Sequence, residues 1–258
     1  MRRLFDKAEW LNANYDVGIA DTPKEIDELH KLRYDIFNIE LDEGIKENKT
    51  IQRDIDKFDA HCDHLIIKEK SGEIIATYRI HPSWKMHNEG FYTATEFEIS
   101  KLGLEKVRSV EVGRACIHPE HRGKNLIIIM LWLGIRKYCQ INNVEFLFGV
   151  ASIPKCTKEE ISSLYYDLIN KGHLIEDGSV EPLPEQKAEI IKDAPETYRK
   201  ELMGSLIKGY IKIGAKLIGA PVFDPIFGCY DFFVLLEMKK VNWEYIDSLS
   251  KLLTIEKS

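Results

Sequence analysis

The chain has 258 residues, a formal net charge of −6, 44% hydrophobic residues and 30% charged ones. That is enough to bury a real core, as one large α/β domain or two small ones, and the acidic balance excludes a global nucleic-acid-binding field and leaves room only for local basic patches. The five cysteines, Cys62, Cys116, Cys139, Cys156 and Cys229, are odd in number, scattered and free of any C-x-x-C pair. This excludes a disulfide framework and a structural zinc site, and predicts reduced thiols in a cytoplasmic protein. The opening MRRLFDKAEWLN is charged and lacks the apolar run of a signal peptide, and the longest apolar run, 126–133, is far too short to span a bilayer.

In chain order, Ile26, Leu29, Leu32, Ile36 and Phe37 recur at helical spacing. They predict a helix over 23–39, with Asp21 or Thr22 as N-cap and Pro23 in the first turn. Residues 43–55 are polar and irregular and read as a loop. Strands over 64–68 and 74–80, joined at Ser71-Gly72, read as a hairpin, and 96–99 as a short extended piece. A strand over 107–117, a buried helix over 125–142 and a strand over 145–150 form a βαβ unit, which makes the sheet parallel or splayed there. A helix over 157–170 opens on Thr157 with Glu160 placed for a capping box. The segment 176–195 holds Pro182, Pro184 and Pro195 and several charges, and reads as a surface excursion around 171–197. A glycine-kinked helix over 198–218, an apolar strand over 231–238 and a terminal helix over 241–254 complete the chain. No composition break marks a linker, so 1–258 reads as one domain.

The stretch EVGRACIHPEHR (111–122) followed by NLIIIMLWLGI (125–135) resembles the core of the GNAT-type ornithine-lipid and amino-acid N-acyltransferases, often labelled hemolysin-like. LRYDIFNIE (32–40), DKFDAHCDHLII (56–67), ATYRI (76–80) and KGYIKIGAKLIGAPVFDPIFGCYDF (208–232) agree with that family in its order. The resemblance implies an α/β GNAT fold, a mixed central sheet with splayed strands flanked by helices. It also implies an N-acyltransferase that needs no metal and no permanently bound cofactor. Acyl-homoserine-lactone synthases share the fold, and the resemblance to them carries over to particular positions. Their arginine and aromatic near the first helix match Arg33 and Phe37. Their acidic pair matches Asp56 and Asp59, their hairpin arginine Arg79, and their E-x-x-R Glu111 and Arg114. The tryptophan they keep after the first helix has no counterpart in 40–50.

Acyl transfer to an amine needs a proton acceptor, a polarised thioester carbonyl and alignment of the two. Glu111 is the candidate acceptor, beside Arg114. Strict alternation puts two residues three apart on opposite faces of a strand, so a bulge near Gly113 is expected. Backbone N–H groups at Ala115, Cys116 and Ile117 are the candidate carbonyl holders. A structural Glu111–Arg114 ion pair is the competing reading.

The turn after this strand departs from the glycine-rich form that cradles a coenzyme A pyrophosphate at a helix N-terminus. In Arg122-Gly123-Lys124-Asn125-Leu126-Ile127, Asn125 stands at the first required glycine and Ile127 at the second small position. A 4′-phosphopantetheine arm on an acyl carrier protein carries a single phosphate and fits such a turn better, with acyl-CoA as the other donor. Carrier proteins are acidic, and Arg122, Lys124, Arg136 and Lys137 are either a dock for one or a solvated basic surface. An arginine at position 33 or 79 suits the carboxylate of an amino-acid acceptor, with Asp56 and Asp59 holding a cationic group. A structural charge network behind the first helix explains the same residues.

His61, Cys62, Asp63 and His64 fit no metal-ligand spacing, and Cys116 reads as an inert buried thiol rather than a nucleophile. Lys208, Lys212 and Lys216 recur every fourth residue, opposite Leu206, Tyr210, Ile213 and Leu217. The pattern is either a face for peripheral membrane contact or an amphipathic helix packed on the sheet. Residues 126–132, Phe146, Phe148, Phe223 and Phe227 could line an acyl channel, and core packing predicts the same composition. The expected reaction is transfer of a long-chain, optionally 3-hydroxylated, acyl group to the α-amine of ornithine or glycine, giving a lyso-aminolipid. A signal synthase and a non-catalytic acyl or amino-acid binding module are the alternatives.

Overall fold

A computed structural model describes residues 1–6, 14–123, 125–195 and 198–250. Its strands are β1 (Arg2–Arg3), β2 (Tyr15–Ile19), β3 (Asp63–Glu69), β4 (Ile74–Pro82), β5 (Phe97–Glu98), β6 (Ser109–Ile117), β7 (Phe146–Pro154), β8 (Leu174–Ile175), β9 (Glu181–Pro182), β10 (Lys216–Ile218), β11 (Val222–Asp224) and β12 (Cys229–Glu237). Its α-helices are α1 (Pro23–Tyr34), α2 (Asn125–Ile141), α3 (Lys158–Asn170), α4 (Ser205–Lys212) and α5 (Trp243–Ser250). Strands pair both antiparallel and parallel and helices pack on them, which is the mixed α/β class expected. The chain gathers into two compact units. The first comprises Met1–Lys85, Val112–Val144 and the chain from Trp243, and the second Met86–Glu111 and Glu145–Asn242.

In the first unit β1 to β4 form an antiparallel meander. Helix α1 starts where the sequence says it should. Thr22 Oγ1 accepts from Glu25 N at 3.2 Å and the Glu25 carboxylate accepts from Thr22 N at 3.2 Å, a complete capping box. Past Tyr34 the expected helix widens into a π-helical turn, Asp35–Glu40. Leu29, Leu32 and Ile36 pack on Ile66, Ile74 and Cys116. On the next residue of β3, Leu65 points the other way, as strand alternation requires, and meets α2. A Cβ added at Gly134 of α2 would stand 2.8 Å from Leu65 and 3.0 Å from Val17, so glycine lets the helix lie close on this face. Every residue of β4 is buried, as befits a strand covered on both faces.

In the second unit β12 pairs antiparallel with β7 along its whole length and with β10, while β10 pairs parallel with β8. Its core holds Phe91, Phe97, Phe148, Val180, Ile218, Val222 and Phe233. Helix α3 repeats the capping device, with Thr157 Oγ1 accepting from Glu160 N at 3.2 Å. Two further features depart from expectation. Within 171–197, β9 pairs with β5, and Val180 and Ala188 are buried, so this proline-rich stretch contributes to the core.

The long helix expected over 198–218 is three elements: a 3₁₀ turn Lys200–Leu202, the short α4, and β10. Gly214 at φ +97° ends the helix, and Leu217 and Ile218 are buried in the sheet. The lysine stripe is therefore no single helical face. Lys216 sits on a strand with its ammonium on the Gly172 carbonyl at 3.0 Å. The terminal helix is described to Ser250; the rest of its expected span lies outside the described residues.

Candidate active site

Strand β6 carries the residues on which the sequence argument rests, and its backbone is irregular where expected. Arg114 has φ +52°, a left-handed conformation that costs a non-glycine residue of order 1 kcal/mol or more and breaks the regular ladder. Glu111, four-hundredths exposed, lies before the break, in the second unit. Its carboxylate accepts from Tyr92 N at 2.9 Å, from Thr93 N at 2.6 Å and from the Thr93 hydroxyl. The chain at 92–95 forms a 3₁₀ turn that presents these donors together. Arg114 belongs to the first unit, where it joins a second network, with Asp54 and Asp56.

That second network is a knot of buried charge. Arg33 is fully buried, and its guanidinium donates to Asp54 Oδ1 from Nε at 2.7 Å and to Asp59 Oδ1 at 2.8 Å and Oδ2 at 3.1 Å. Arg79 donates to Asp56 Oδ2 at 2.5 Å and stands 3.5 Å from Asp59. Arg114 lies 3.7 Å from Asp54 and 3.6 Å from Asp56, over the Phe37 ring at 5.7 Å. The aspartates are themselves aimed, since Asp56 N donates to Asp59 and Phe58 N to Asp56, each at 2.9 Å.

Burial by itself would raise the Asp54 and Asp59 carboxyls, but the guanidiniums of Arg114 and Arg33 on the first, and of Arg33 and Arg79 on the second, hold both below the ordinary carboxylate range. His30 and His64 stack edge-on behind Asp59, 5.6 Å apart. Burial pushes His64 down to about 3, with Asp59 only partly offsetting it, and pushes His30 down as well, helped by Arg33.

Arg33, Phe37, Asp56, Asp59 and Arg79 thus lie together, and Arg114, which the sequence paired with Glu111, lies among them. With Asp54 added, the formal charges cancel. The member sequence reasoning missed is Asp54, from the stretch read as loop. Arg33 is enclosed between Asp54 and Asp59, whereas Phe37, Asp56 and Arg114 are the half-buried members. His30, Asp59 and His64 each offer an atom within 4.8 Å of the others, a spacing a metal could use. The guanidiniums already on Asp59 disfavour one there.

Comparison with known proteins bears on what this arrangement is for. The family model described as "Acetyltransferase (GNAT) domain" matches residues 32–132. An L-ornithine N(alpha)-acyltransferase of Agrobacterium fabrum is 31% identical over 90% of this chain and 83% of its own length. One from Brucella abortus is 29% identical over 90% and 87%. Among solved structures, an N-acyl amino acid synthase from uncultured soil microbes superposes with a TM-score of 0.55 at 11% identity, over 92% of this chain and 96% of that one. The chain belongs to the L-ornithine N(alpha)-acyltransferase family.

In this acyltransferase Ala115 and Ile117 are half-buried and Cys116 is buried, its thiol pushed up to about 12 by burial. A group so held is no thiolate near neutral pH, which removes the nucleophilic reading. In the donor turn, Gly123 has φ +76° and α2 begins at Asn125, while Lys124 lies outside the described residues. Ile127 is fully buried in the core.

Two of the basic residues proposed to dock a carrier protein are occupied. Arg122 pairs with both oxygens of Glu40 and with the Ile117 carbonyl, and Arg136 pairs with Asp247 and lies 4.6 Å from the Trp243 ring. No helix among the described residues is long and apolar enough to cross a membrane.

A group that the sequence did not suggest lies in the second unit. Glu96, Asp224 and Asp231 are all buried, with carboxylate oxygens within 4.8 Å of one another. Burial, then Asp231, pushes the Glu96 carboxyl up to about 9, the Tyr92 hydroxyl countering only in part. The available signal was Asp231 at the head of an otherwise apolar strand, where a lone charge is costly without a purpose.

Proposed function

We propose that this acyltransferase moves a long-chain acyl group, 3-hydroxylated or plain, from the 4′-phosphopantetheine thioester of an acyl carrier protein to the α-amine of ornithine. Glycine is the second acceptor and acyl-CoA the second donor. The observation that carries the reading is Glu111, a buried carboxylate on the strand that matches the family core, oriented by donors from one turn. The names of its relatives support ornithine as acceptor.

In the proposed reaction Glu111 takes a proton from the amine, directly or through a water. The freed nitrogen attacks the thioester carbonyl. N–H groups of Ala115, Cys116 and Ile117, next to the break at Arg114, stabilise the oxygen as it gains charge. The carbon–sulfur bond then breaks, the nitrogen sheds its second proton to the departing thiolate, and Glu111 passes the first to solvent, leaving an amide and a free thiol. Asp56, Arg79 and Arg114 contact the acceptor, held in place by Arg33, Asp59 and Phe37. Arg122, Gly123, Lys124 and Asn125 meet the donor's phosphate.

The test is mass spectrometry of products from the purified protein, supplied with acyl carrier protein thioesters or acyl-CoA and a pool of amino acids. An N-acyl-ornithine formed only with the carrier-protein thioester supports the proposal. An acyl-homoserine lactone, or no covalent product, overturns it.

A further inference from the structure

The Glu96–Asp224–Asp231 cluster has no part in the reaction above, and its chemistry is unusual for a buried core. Asp224 is spoken for by its own turn: its Oδ1 accepts from Ile226 N at 2.7 Å and Phe227 N at 3.2 Å, and its Oδ2 from the Tyr92 hydroxyl at 3.3 Å. Asp231 accepts a weak hydrogen bond from the Cys229 thiol at 3.6 Å. Glu96 differs. It is 2% exposed, it faces the other two carboxyls, and neither of its oxygens has a hydrogen bond of good geometry among the described residues. A buried carboxyl left in that condition costs stability that packing alone would not retain.

We propose that Glu96, Asp224 and Asp231 receive a primary ammonium, the side-chain terminus of a diamino-acid acceptor. This rests on the reading of the protein as an amino-acid N-acyltransferase. An ammonium brings three N–H donors to the carboxylates, which suits a group with one unused carboxyl. Calcium takes six to eight oxygens and magnesium six, and here Asp224 already spends lone pairs on two N–H groups. The cluster also adjoins the Glu111 anchor in sequence, since Tyr92 and Thr93, which hold Glu111, and Glu96 belong to one turn and the residue after it.

The half-buried Tyr92 hydroxyl donates to Asp224 at 3.3 Å. Binding displaces that hydroxyl and exchanges a proton for a cation. Glu96 gives up its proton to solvent as the ammonium arrives, so charge is conserved across the step.

Titration calorimetry of the wild-type protein with ornithine and with norvaline, its uncharged analogue, in two buffers of different ionisation enthalpy, is the first test. Ornithine should bind at least about 30-fold tighter, the worth of one charged hydrogen bond, and release a proton near neutral pH, while norvaline releases none. In Glu96→Gln and Asp231→Asn, checked for folding by thermal melting, the proton release should vanish and the preference should collapse. Equal affinity for the two amino acids, or ornithine binding without proton release, overturns the proposal even if no variant folds. So does binding of calcium or magnesium alone that Asp231→Asn abolishes, which would make this a metal site. Absence of any acylated product bears on the proposed reaction instead, and leaves the binding measurement to decide this inference.

Discussion

Each compact unit buries a cluster of charge, and the two clusters balance their charge differently. In the first, Arg33, Arg79 and Arg114 meet Asp54, Asp56 and Asp59, and the histidines behind them are pushed toward neutrality. Every formal charge there has a counterpart. In the second, Glu96, Asp224 and Asp231 crowd together, and a proton on Glu96 relieves the repulsion. A balanced buried network fixes geometry and is costly to break from one side. An unbalanced one stores unfavourable energy that a ligand can release, and such groups concentrate at functional sites. The first cluster therefore reads as a rigid mount for Asp56, Arg79 and Arg114, the proposed acceptor contacts, and the second as a site able to take up a cation.

The largest effect should come from the residue whose turn lies beside the unbalanced cluster. Glu111→Gln keeps an acceptor for the Thr93 donors but turns an N–H toward Tyr92 N and removes the proton acceptor, and should lower kcat by roughly 100- to 10,000-fold. Tm should fall by only a few degrees, about the cost of one unsatisfied buried N–H. A variant that retains more than a tenth of the activity would place the chemistry elsewhere.

Breaking the balanced knot should do the reverse, with stability suffering first. Arg33→Met leaves Asp54 and Asp59 buried without their shared guanidinium, a loss of about 3–5 kcal/mol. At this chain length that is a fall of roughly 10 °C in Tm. Replacing Arg33 and Asp59 together by apolar residues, which leaves Arg79 and Arg114 balanced by Asp54 and Asp56, should recover much of the loss. If Arg33→Met melts like the wild type while activity disappears, Arg33 serves the reaction and not the stability of the knot.

How the sequence exposed one cluster and hid the other follows from what short-range pattern can carry. The capping boxes at Thr22 and Thr157, the hairpin, β6 and α2 are local, each written in a few adjacent residues. Arg33, Asp56, Asp59, Arg79 and Glu111 were legible because a family pattern marks them. Asp54 was invisible, being one acidic residue in a polar loop. Glu96, Asp224 and Asp231 meet only through strand register, Val222 opposite Asp231 and Asp224 opposite Cys229. No local pattern encodes that meeting. Residues 216–218 failed for a related reason, since helical spacing over 206–217 was overruled by Gly214 and by the place waiting beside β12.

The two clusters should also pull stability in opposite directions with pH. His64 falls in the folded state from 6.5 to about 3. Its contribution is therefore whole above pH 6.5 and is lost as pH falls toward 3, a loss His30 shares. Glu96, among Asp231, Asp224 and Glu111, rises from 4.5 to about 9. Its contribution is whole below pH 4.5 and is lost as pH rises toward 9. In urea midpoints measured across pH, Glu96→Gln should flatten the alkaline limb and His64→Gln the acid limb. If the two variants left both limbs unchanged, the environments inferred for these groups would be wrong.

The smallest expected difference compares the same device in the two units. Thr22→Ala and Thr157→Ala each remove an N-cap oxygen, worth about 1 kcal/mol within a range of roughly 0.5–2. The capping glutamates differ in setting. Glu25 is buried, accepts from Asp21 N at 2.9 Å and holds the Lys68 ammonium at 2.7 Å. Glu160 is more open and is shared with Arg199 at 3.0 Å. Water can replace the lost hydroxyl at Glu160 N more readily than beside a buried Glu25, where the stranded N–H keeps its desolvation cost. Thr22→Ala should therefore fall in the upper half of the range and Thr157→Ala in the lower half, read from denaturant midpoints at constant m. Equal losses would mean that burial of the capping glutamate does not set the worth of the cap.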